Sequence, residues 1–240
     1  MRPLLEPHSG FVYFDHCCLT VRFKTMSKSE IARQLVAVCR NLYHHGFVTA
    51  SDGNVSSRLP NGNILATPTS LNKGRVVESD LVEVTPDGTV VHPGQAPSTE
   101  LGMHLFIYRQ RPDIHAVVHA HPTYATGFAA AHVPLDKPLL PEVIVGLGTI
   151  PLASFAVTST QEVPDSIAPY VQTASAILLA NHGVVTFGKD LDEAYFKMEK
   201  VEHAAHITFV ARMLGGEKVL AVDQVRKLKE TFSRKKHSKQ

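Results

Sequence analysis

The sequence predicts a mixed α/β protein built as one domain, and three observations carry that reading. Short β-type runs bounded by Gly, Pro, Asn and Asp alternate with amphipathic helical stretches along the chain. No internal repeat, low-complexity linker or composition break divides it. A length of 240 residues, with 44% hydrophobic and 19% charged residues, suffices to bury a core without disulfide staples.

The elements follow in order. Ile31, Leu35, Val38 and Leu42 recur at helical spacing after Ser27, and Gly46 is a natural C-cap. Asp52-Gly53-Asn54 then leads into a strand over 55–59, and Pro60-Asn61-Gly62-Asn63 turns it into a second at 64–66. A further hairpin is predicted from 81–85 to 89–92 around Pro86-Asp87-Gly88. Pro97-Ser98 opens a helix with Leu101, Leu105 and Tyr108 on one face, ending before Pro112. A strand over 115–118, a helix after Pro122, a strand at 150–156, a helix over 164–171 and a strand over 176–179 come next. Asn181-His182-Gly183 turns that strand into 184–187. Asp190 and Glu193 form a capping-box pattern before the longest amphipathic helix, which Gly215-Gly216 halts. Residues 1–25 match no element and read as an N-terminal extension of undetermined status, Met26 being a second candidate start. The domain is placed at 26–222 and a basic tail at 223–240.

Composition excludes several classes. The formal net charge is +2, but residues 224–240 hold seven Lys/Arg against Glu230 alone, a local +6 that leaves the rest of the chain at −4. Basicity confined to a tail reads as a solvated helix end and argues against a nucleic-acid-binding body. No run reaches the roughly 18 apolar residues of a membrane span, and no secretory signal opens the chain. Cys17, Cys18 and Cys39 build no disulfide framework, so a reducing, cytoplasmic setting is expected, with neither nucleic acid nor membrane as partner.

The chemistry concentrates in a few of the 14 histidines. His8, His16 and His237 fall near the termini, and His44 and His45 at a helix end where cations are favoured. His119-Ala120-His121 differs, because a strand places i and i+2 on one side and both imidazoles can face one ion. Alone, that pair also fits two polar residues on a solvated strand face. His182 stands in a tight turn after an apolar strand, and Glu100 opens a helix, where it also fits simple dipole complementation. Together, three histidines and a carboxylate form a set suited to Zn²⁺, with Mn²⁺ or Co²⁺ as alternatives, and Glu100 is available as fourth ligand or as base. A second set, Asp52-Gly53-Asn54, Thr67-Pro68-Thr69-Ser70 and Pro97-Ser98-Thr99, offers turn N–H groups, hydroxyls and a helix start, all suited to an anion such as phosphate; ordinary turn and cap chemistry is the alternative.

Gly53-Asn54-Val55-Ser56, Thr67-Pro68-Thr69, Pro97-Ser98-Thr99-Glu100 with Met103-His104, Ala116 to His121, and Leu179-Ala180-Asn181-His182-Gly183 occur in one order. In these motifs the chain from about Ser27 to Gly216 resembles the class II aldolase/adducin family, in particular its L-fuculose-phosphate aldolase type. The resemblance implies an α/β/α sandwich around a central, largely antiparallel sheet, and a C4 homotetramer with active sites at subunit interfaces. It implies one Zn²⁺ per subunit on His119, His121, His182 and Glu100, with Glu100 also the catalytic acid/base. Gly53, Asn54, Thr69, Ser70, Ser98 and Thr99 would hold the substrate phosphate. The implied reaction cleaves a ketose 1-phosphate, L-fuculose 1-phosphate or a deoxy- or methylthio-ribulose 1-phosphate, to dihydroxyacetone phosphate and a small aldehyde through a zinc-stabilised enediolate. This chain keeps the phosphate contacts in outline, with Thr69-Ser70 where that type has Thr-Gly and Ser98-Thr99 where it has Ser-Ser, and departs from it in two further places. Leu139 to Val145 lacks the interface Tyr proton donor, for which Glu142 is a candidate substitute that also fits a strand-start surface residue, and the tail offers Phe232 but no Tyr. Three alternatives rank below aldolase: a decarboxylase of a four-carbon 3-oxo acid-sugar phosphate, whose family pattern has Lys where this chain has Thr99; a ribulose-phosphate 4-epimerase, whose pattern has Asp in place of Glu100; and a non-enzymatic adducin-like binding protein, which would lack the histidines.

Overall fold

The computed structural model describes residues 26–237, with side chains to residue 233. The expected N-terminal extension, with His8, His16, Cys17 and Cys18, lies outside the described residues. Seven helices, α1 (Lys28–His44), α2 (Leu101–Gln110), α3 (Thr123–Ala130), α4 (Pro141–Gly146), α5 (Glu162–Ile167), α6 (Leu191–Met213) and α7 (Val222–His237), surround one sheet among the described residues. Its strands are β1 (Asn54–Arg58), β2 (Ile64–Ala66), β3 (Val82–Val84), β4 (Ala116–Ala120), β5 (Leu152–Ala153), β6 (Ala176–Leu179) and β7 (Gly183–Gly188). They lie in the order β3-β2-β1-β4-β7-β6-β5, antiparallel except for β5 beside β6.

The layers follow from strand alternation. Ala116, Val118, Leu178 and Val184 face a core that takes the apolar stripes of α1, α3 and α6. Val117, Ile177, Val185 and Phe187 face a second core under α2 and α5. The expected α/β/α sandwich is therefore present, with β4 buried along its whole length. Ser27 caps α1 in a complete capping box with Glu30, and Gly46 beyond its end sits at φ +69. No described helix is long and apolar enough to cross a membrane.

Several expected boundaries shift. The run 89–92 forms no strand: Val90 makes one bridge to Val84, and the hydroxyl of Thr85 and the carboxylate of Asp87 take the turn's N–H of Thr89. The strand expected at 150–156 is only β5, an edge with a single neighbour, after which Ser154 and Phe155 are exposed. The helix expected over 164–171 runs 162–167. Segment 141–146, with Glu142, is the helix α4 begun by Pro141 at its first turn rather than a strand start. The Asp190–Glu193 cap is half the expected box: Asp190 accepts from the Glu193 N–H at 2.7 Å, while the Glu193 carboxylate accepts from the Lys189 N–H. Of the basic tail, residues 223–237 lie in α7, which contacts α4.

Candidate metal centre and anion pocket

β4 builds the site from the sheet's middle. Residues 116, 118 and 120 point toward α1, α3 and α6, so His119 points with Val117 to the α2 side, where Glu100 caps that helix. His119 pairs with Asn54 on β1 and with Val185 on β7. His121 lies one residue past the strand, its N–H held by Phe47 O at 2.8 Å. The β6–β7 turn brings in His182, with Asn181 at φ +56. Two glycines permit the approach. A Cβ at Gly53, φ +69, would meet His119 O at 2.8 Å and Val48 Cγ1 at 2.6 Å; one at Gly183 would meet His121 Cδ2 at 2.5 Å and Ala120 O at 2.6 Å.

The three imidazoles and Glu100 converge. His119 Nε2 and His121 Nε2 are 3.1 Å apart, Glu100 Oε2 is 3.4 Å from His119 Nε2, and Glu100 Oε1 is 3.2 Å from His182 Nε2. Donors bound tetrahedrally at zinc's usual bond length stand about 3.3 Å apart, so these spacings are those of a ligand set. Ligand atoms of His119, His121 and His182 all lie within 4.8 Å of one another. His119 Nδ1 lies 2.9 Å from Val184 O, a carbonyl that can only accept, so Nδ1 carries the proton and Nε2 presents a lone pair. The donor chemistry fits a borderline divalent cation.

Electrostatics agree. Burial pushes His119 and His121 down to about 4, against the opposing pull of Glu100, so both are neutral, ligand-competent imidazoles at pH 7. Burial alone would raise the Glu100 carboxyl, but His119, His182 and an Asn54 Nδ2 donation of 2.8 Å outweigh it and hold the group below the usual carboxylate range. Glu100 stands at the N-cap position of α2 without a side-chain cap bond, and its carboxylate faces His119 and His182.

Gly53, Asn54, Thr69, Ser70, Ser98, Thr99, Glu100, His121 and His182 line one cavity of about 270 Å³, and His119 closes its back, fully buried. The anion loops are joined in series: Thr67 N–H donates to Val55 O at 3.0 Å, Ser98 N–H to Thr67 O at 3.1 Å, and Thr69 N–H to Ala96 O at 3.0 Å. Ser98 and Thr69 therefore offer hydroxyls rather than the N–H groups expected of them, whereas the N–H groups of Gly53, Ser70 and Thr99 have no acceptor among the described residues. The helix also begins at Leu101, so Ser98 and Thr99 lie in the turn before it. Glu142 is not among the lining residues.

Other lining residues carried no sequence signal. Thr158 and Ser159 reach the pocket from a loop before α5, and Ser159 Oγ donates to Thr99 Oγ1 at 2.8 Å. Lys73, in a loop that reads as solvated, is 1% exposed. Behind Glu100, His104 Nδ1 lies 2.7 Å from Ser56 Oγ, which lies 2.9 Å from Tyr108 Oη, a buried network visible only once β1 and α2 are stacked.

Comparison with known proteins identifies a family and several relatives. The family model described as class II aldolase and adducin N-terminal domain matches residues 33–209. A 3-oxo-tetronate 4-phosphate decarboxylase of Escherichia coli O6:H1 is 34% identical over 188 residues, covering 76% of this chain and 88% of the relative. An L-fuculose phosphate aldolase of Methanococcus maripaludis is 35% identical over 185 residues, covering 75% and 97%. A solved L-fuculose 1-phosphate aldolase superposes with a TM-score of 0.79 at 30% identity, covering 88% of this chain and 99% of that one.

Proposed function

The chain belongs to the class II aldolase and adducin family, and from that premise we propose that it is a divalent-metal-dependent aldolase. Its substrate in this reading is a ketose 1-phosphate, L-fuculose 1-phosphate or a deoxy- or methylthio-ribulose 1-phosphate, cleaved to dihydroxyacetone phosphate and a small aldehyde. The observation that carries the reading is three imidazoles clustered within reach of one ion, beside an ionised carboxylate and a run of anion-binding donors.

His119, His121 and His182 would hold the ion, with Glu100 as a fourth ligand. The chemistry a divalent ion supplies there, zinc in this reading or else manganese or cobalt, is Lewis-acid polarisation of the ketose carbonyl and compensation of the charge developed on C–C cleavage. Glu100, oriented by Asn54, is the acid/base: it takes up the proton released as the hydroxyl on the aldehyde-side carbon becomes a carbonyl and delivers it to the carbon that keeps the bond's electron pair, with the reverse exchange in the condensation direction. Gly53, Ser70 and Thr99 would give backbone N–H donors to the phosphate, and Asn54, Thr69 and Ser98 their side chains. A homotetramer with active sites between subunits belongs to the same reading, supported by the exposed Phe196, Phe209 and Met213 of α6, which a subunit contact would cover. The cytoplasmic setting rests on the absence of a disulfide framework and the free, buried Cys39.

A second reading, decarboxylation of a four-carbon 3-oxo acid-sugar phosphate, is favoured by the decarboxylase relatives. A coupled assay for dihydroxyacetone phosphate across a panel of ketose 1-phosphates, run beside a carbon dioxide release assay on 3-oxo-tetronate 4-phosphate, decides between them. Metal-dependent, chelator-sensitive release of dihydroxyacetone phosphate supports the aldolase; carbon dioxide without it supports the decarboxylase.

A further inference from the structure

Lys73 heads the fully buried side chains by size, and an ammonium out of water needs compensation. No described carboxylate pairs with it. Its Nζ donates instead to two neutral carbonyls, Ser51 O at 2.8 Å and Leu71 O at 2.8 Å, which leaves a third N–H with no acceptor among the described residues. Both carbonyls flank anion-pocket residues: Ser51 directly precedes Asp52-Gly53-Asn54, and Leu71 directly follows Thr69-Ser70. The preceding residue makes the same crossing, Asn72 Nδ2 donating to Ala50 O at 2.7 Å. Among the residues lining the cavity, Lys73 is the one Lys or Arg, against the acids Asp52 and Glu100.

We propose that Lys73 is the cation of the anion pocket, clamping the 51–54 and 69–71 loops together while its charge selects a phosphorylated substrate over an uncharged one. The inference rests on the sugar-phosphate reading of the cleft. A phosphate dianion entering beside Asp52 and Glu100 meets like charge, and a fixed ammonium in a water-poor wall acts on it far more strongly than a solvent-screened surface lysine would. Burial pushes the ammonium's pKa down, while Cys39, Asp52 and Glu100 pull it up. The clamp also explains a long cationic side chain drawn into a wall where a loop residue would ordinarily extend into solvent.

The test uses the metal-loaded full chain and inorganic phosphate as probe, with Lys73→Met and, should that variant not fold, Lys73→Gln, whose amide keeps a donor for the carbonyls. Titration calorimetry is expected to show phosphate binding weakened at least about tenfold, equivalent to about 1.4 kcal/mol, with metal content unchanged. Inhibition by unphosphorylated dihydroxyacetone should stay within about twofold, which a merely structural clamp would not preserve. Phosphate affinity within about twofold of the unsubstituted chain in a folded variant overturns the assignment. So do equal losses for phosphate and dihydroxyacetone, or an unsubstituted chain that binds no phosphate. Lys73-dependent phosphate binding in a chain that cleaves none of the ketose phosphates would uphold Lys73 and refute the proposed reaction instead.

Discussion

Gly183→Ala tests the metal set through a single methyl group. The new Cβ would lie 2.5 Å from His121 Cδ2 and 2.6 Å from Ala120 O, where ordinary contact begins at 3.4 Å, so about 0.9 Å must be found. The backbone resists on the glycine side: Gly183 pairs with Leu179 in the β6–β7 hairpin, and the next residue's carbonyl holds His119. Ala120 O belongs to the central strand, so the displacement falls on the His121 ring. Metal–ligand distances tolerate only about 0.2 Å, and a ring moved by several times that leaves the ligand set. Losing one of three imidazoles should weaken metal binding at least about 100-fold, or about 2.7 kcal/mol. Overpacking should cost a further 1–3 kcal/mol or so of fold stability. Competition with a graded series of chelators, followed by elemental analysis, measures the first; thermal unfolding of the metal-free protein measures the second. A folded variant that holds metal within about threefold of the unsubstituted chain would refute the claim that His121 is a ligand fixed by its contact with this glycine.

Glu100→Gln keeps the side chain's shape and an oxygen for Asn54 but removes the proton acceptor; turnover should fall by about 10²–10⁴-fold with metal retained, and an activity loss under tenfold would remove Glu100 from proton transfer. The pH dependence follows from His104, which burial pushes down to about 4. Unfolded chains take up its proton near pH 6.5 and the fold does not, so the stabilisation is full above 6.5 and is lost as pH falls toward 4. Urea unfolding of chelator-treated protein should give a free energy lower at pH 5 than at pH 7 by at least about 2 kcal/mol, with a shallower slope in His104→Gln; a flat profile would contradict the burial argument. Ser70→Gly relieves a left-handed residue at φ +57, where the resemblance leads one to expect glycine. Net of glycine's extra freedom in the unfolded chain, the gain should be about 0.5–1 kcal/mol, read as a melting temperature raised by about 1–4 °C, and a lower value would show that the Ser70 hydroxyl repays its strain.

What was legible in the sequence divides along the range of the forces involved. Local signals held: the helix start at Ser27, the Gly46 stop, the 59–64 turn and the His119/His121 alternation depend on neighbours a few residues away. Edges did not, because β5 and the 89–92 run owe their length to how many ladder partners the sheet provides, which no local pattern encodes. α4 escaped because a run of Val and Ile carries strand propensity, and only the tertiary setting makes it helical. At the site, residue types with unusual chemistry, His and Glu at turns, could be singled out in advance. Lys73 and Ser159 could not, since their roles come from where two loops fold back onto the pocket. The N–H accounting of Ser98 and Thr69 was also invisible, because both bonds join segments about 30 residues apart.

The two halves of the site are held by different devices, and that difference bears on specificity. The imidazoles stand on or beside β4, buried on both faces and laddered to β1 and β7, so moving His119 means opening the middle of a seven-stranded sheet. The anion loops hang instead from a few hydrogen bonds in series, two between Val55 and Thr67 and two between segments 67–69 and 96–98, closed on the other side by Lys73 and Asn72. A rigid ligand set fixes where charge can be compensated, whichever bond breaks, and this is the part that a decarboxylase and an aldolase have in common chemically: each must stabilise the electron pair left when a bond to carbon is cleaved. Discrimination must then arise from groups outside β4, and the chain places its distinctive ones there, Ser70 where glycine is expected, Thr99 tied to Ser159, and an ammonium behind both loops. Exchanging those loop residues should therefore move substrate preference while leaving metal affinity unchanged, which is the separation that Gly183→Ala and Lys73→Met, measured side by side, put to the test.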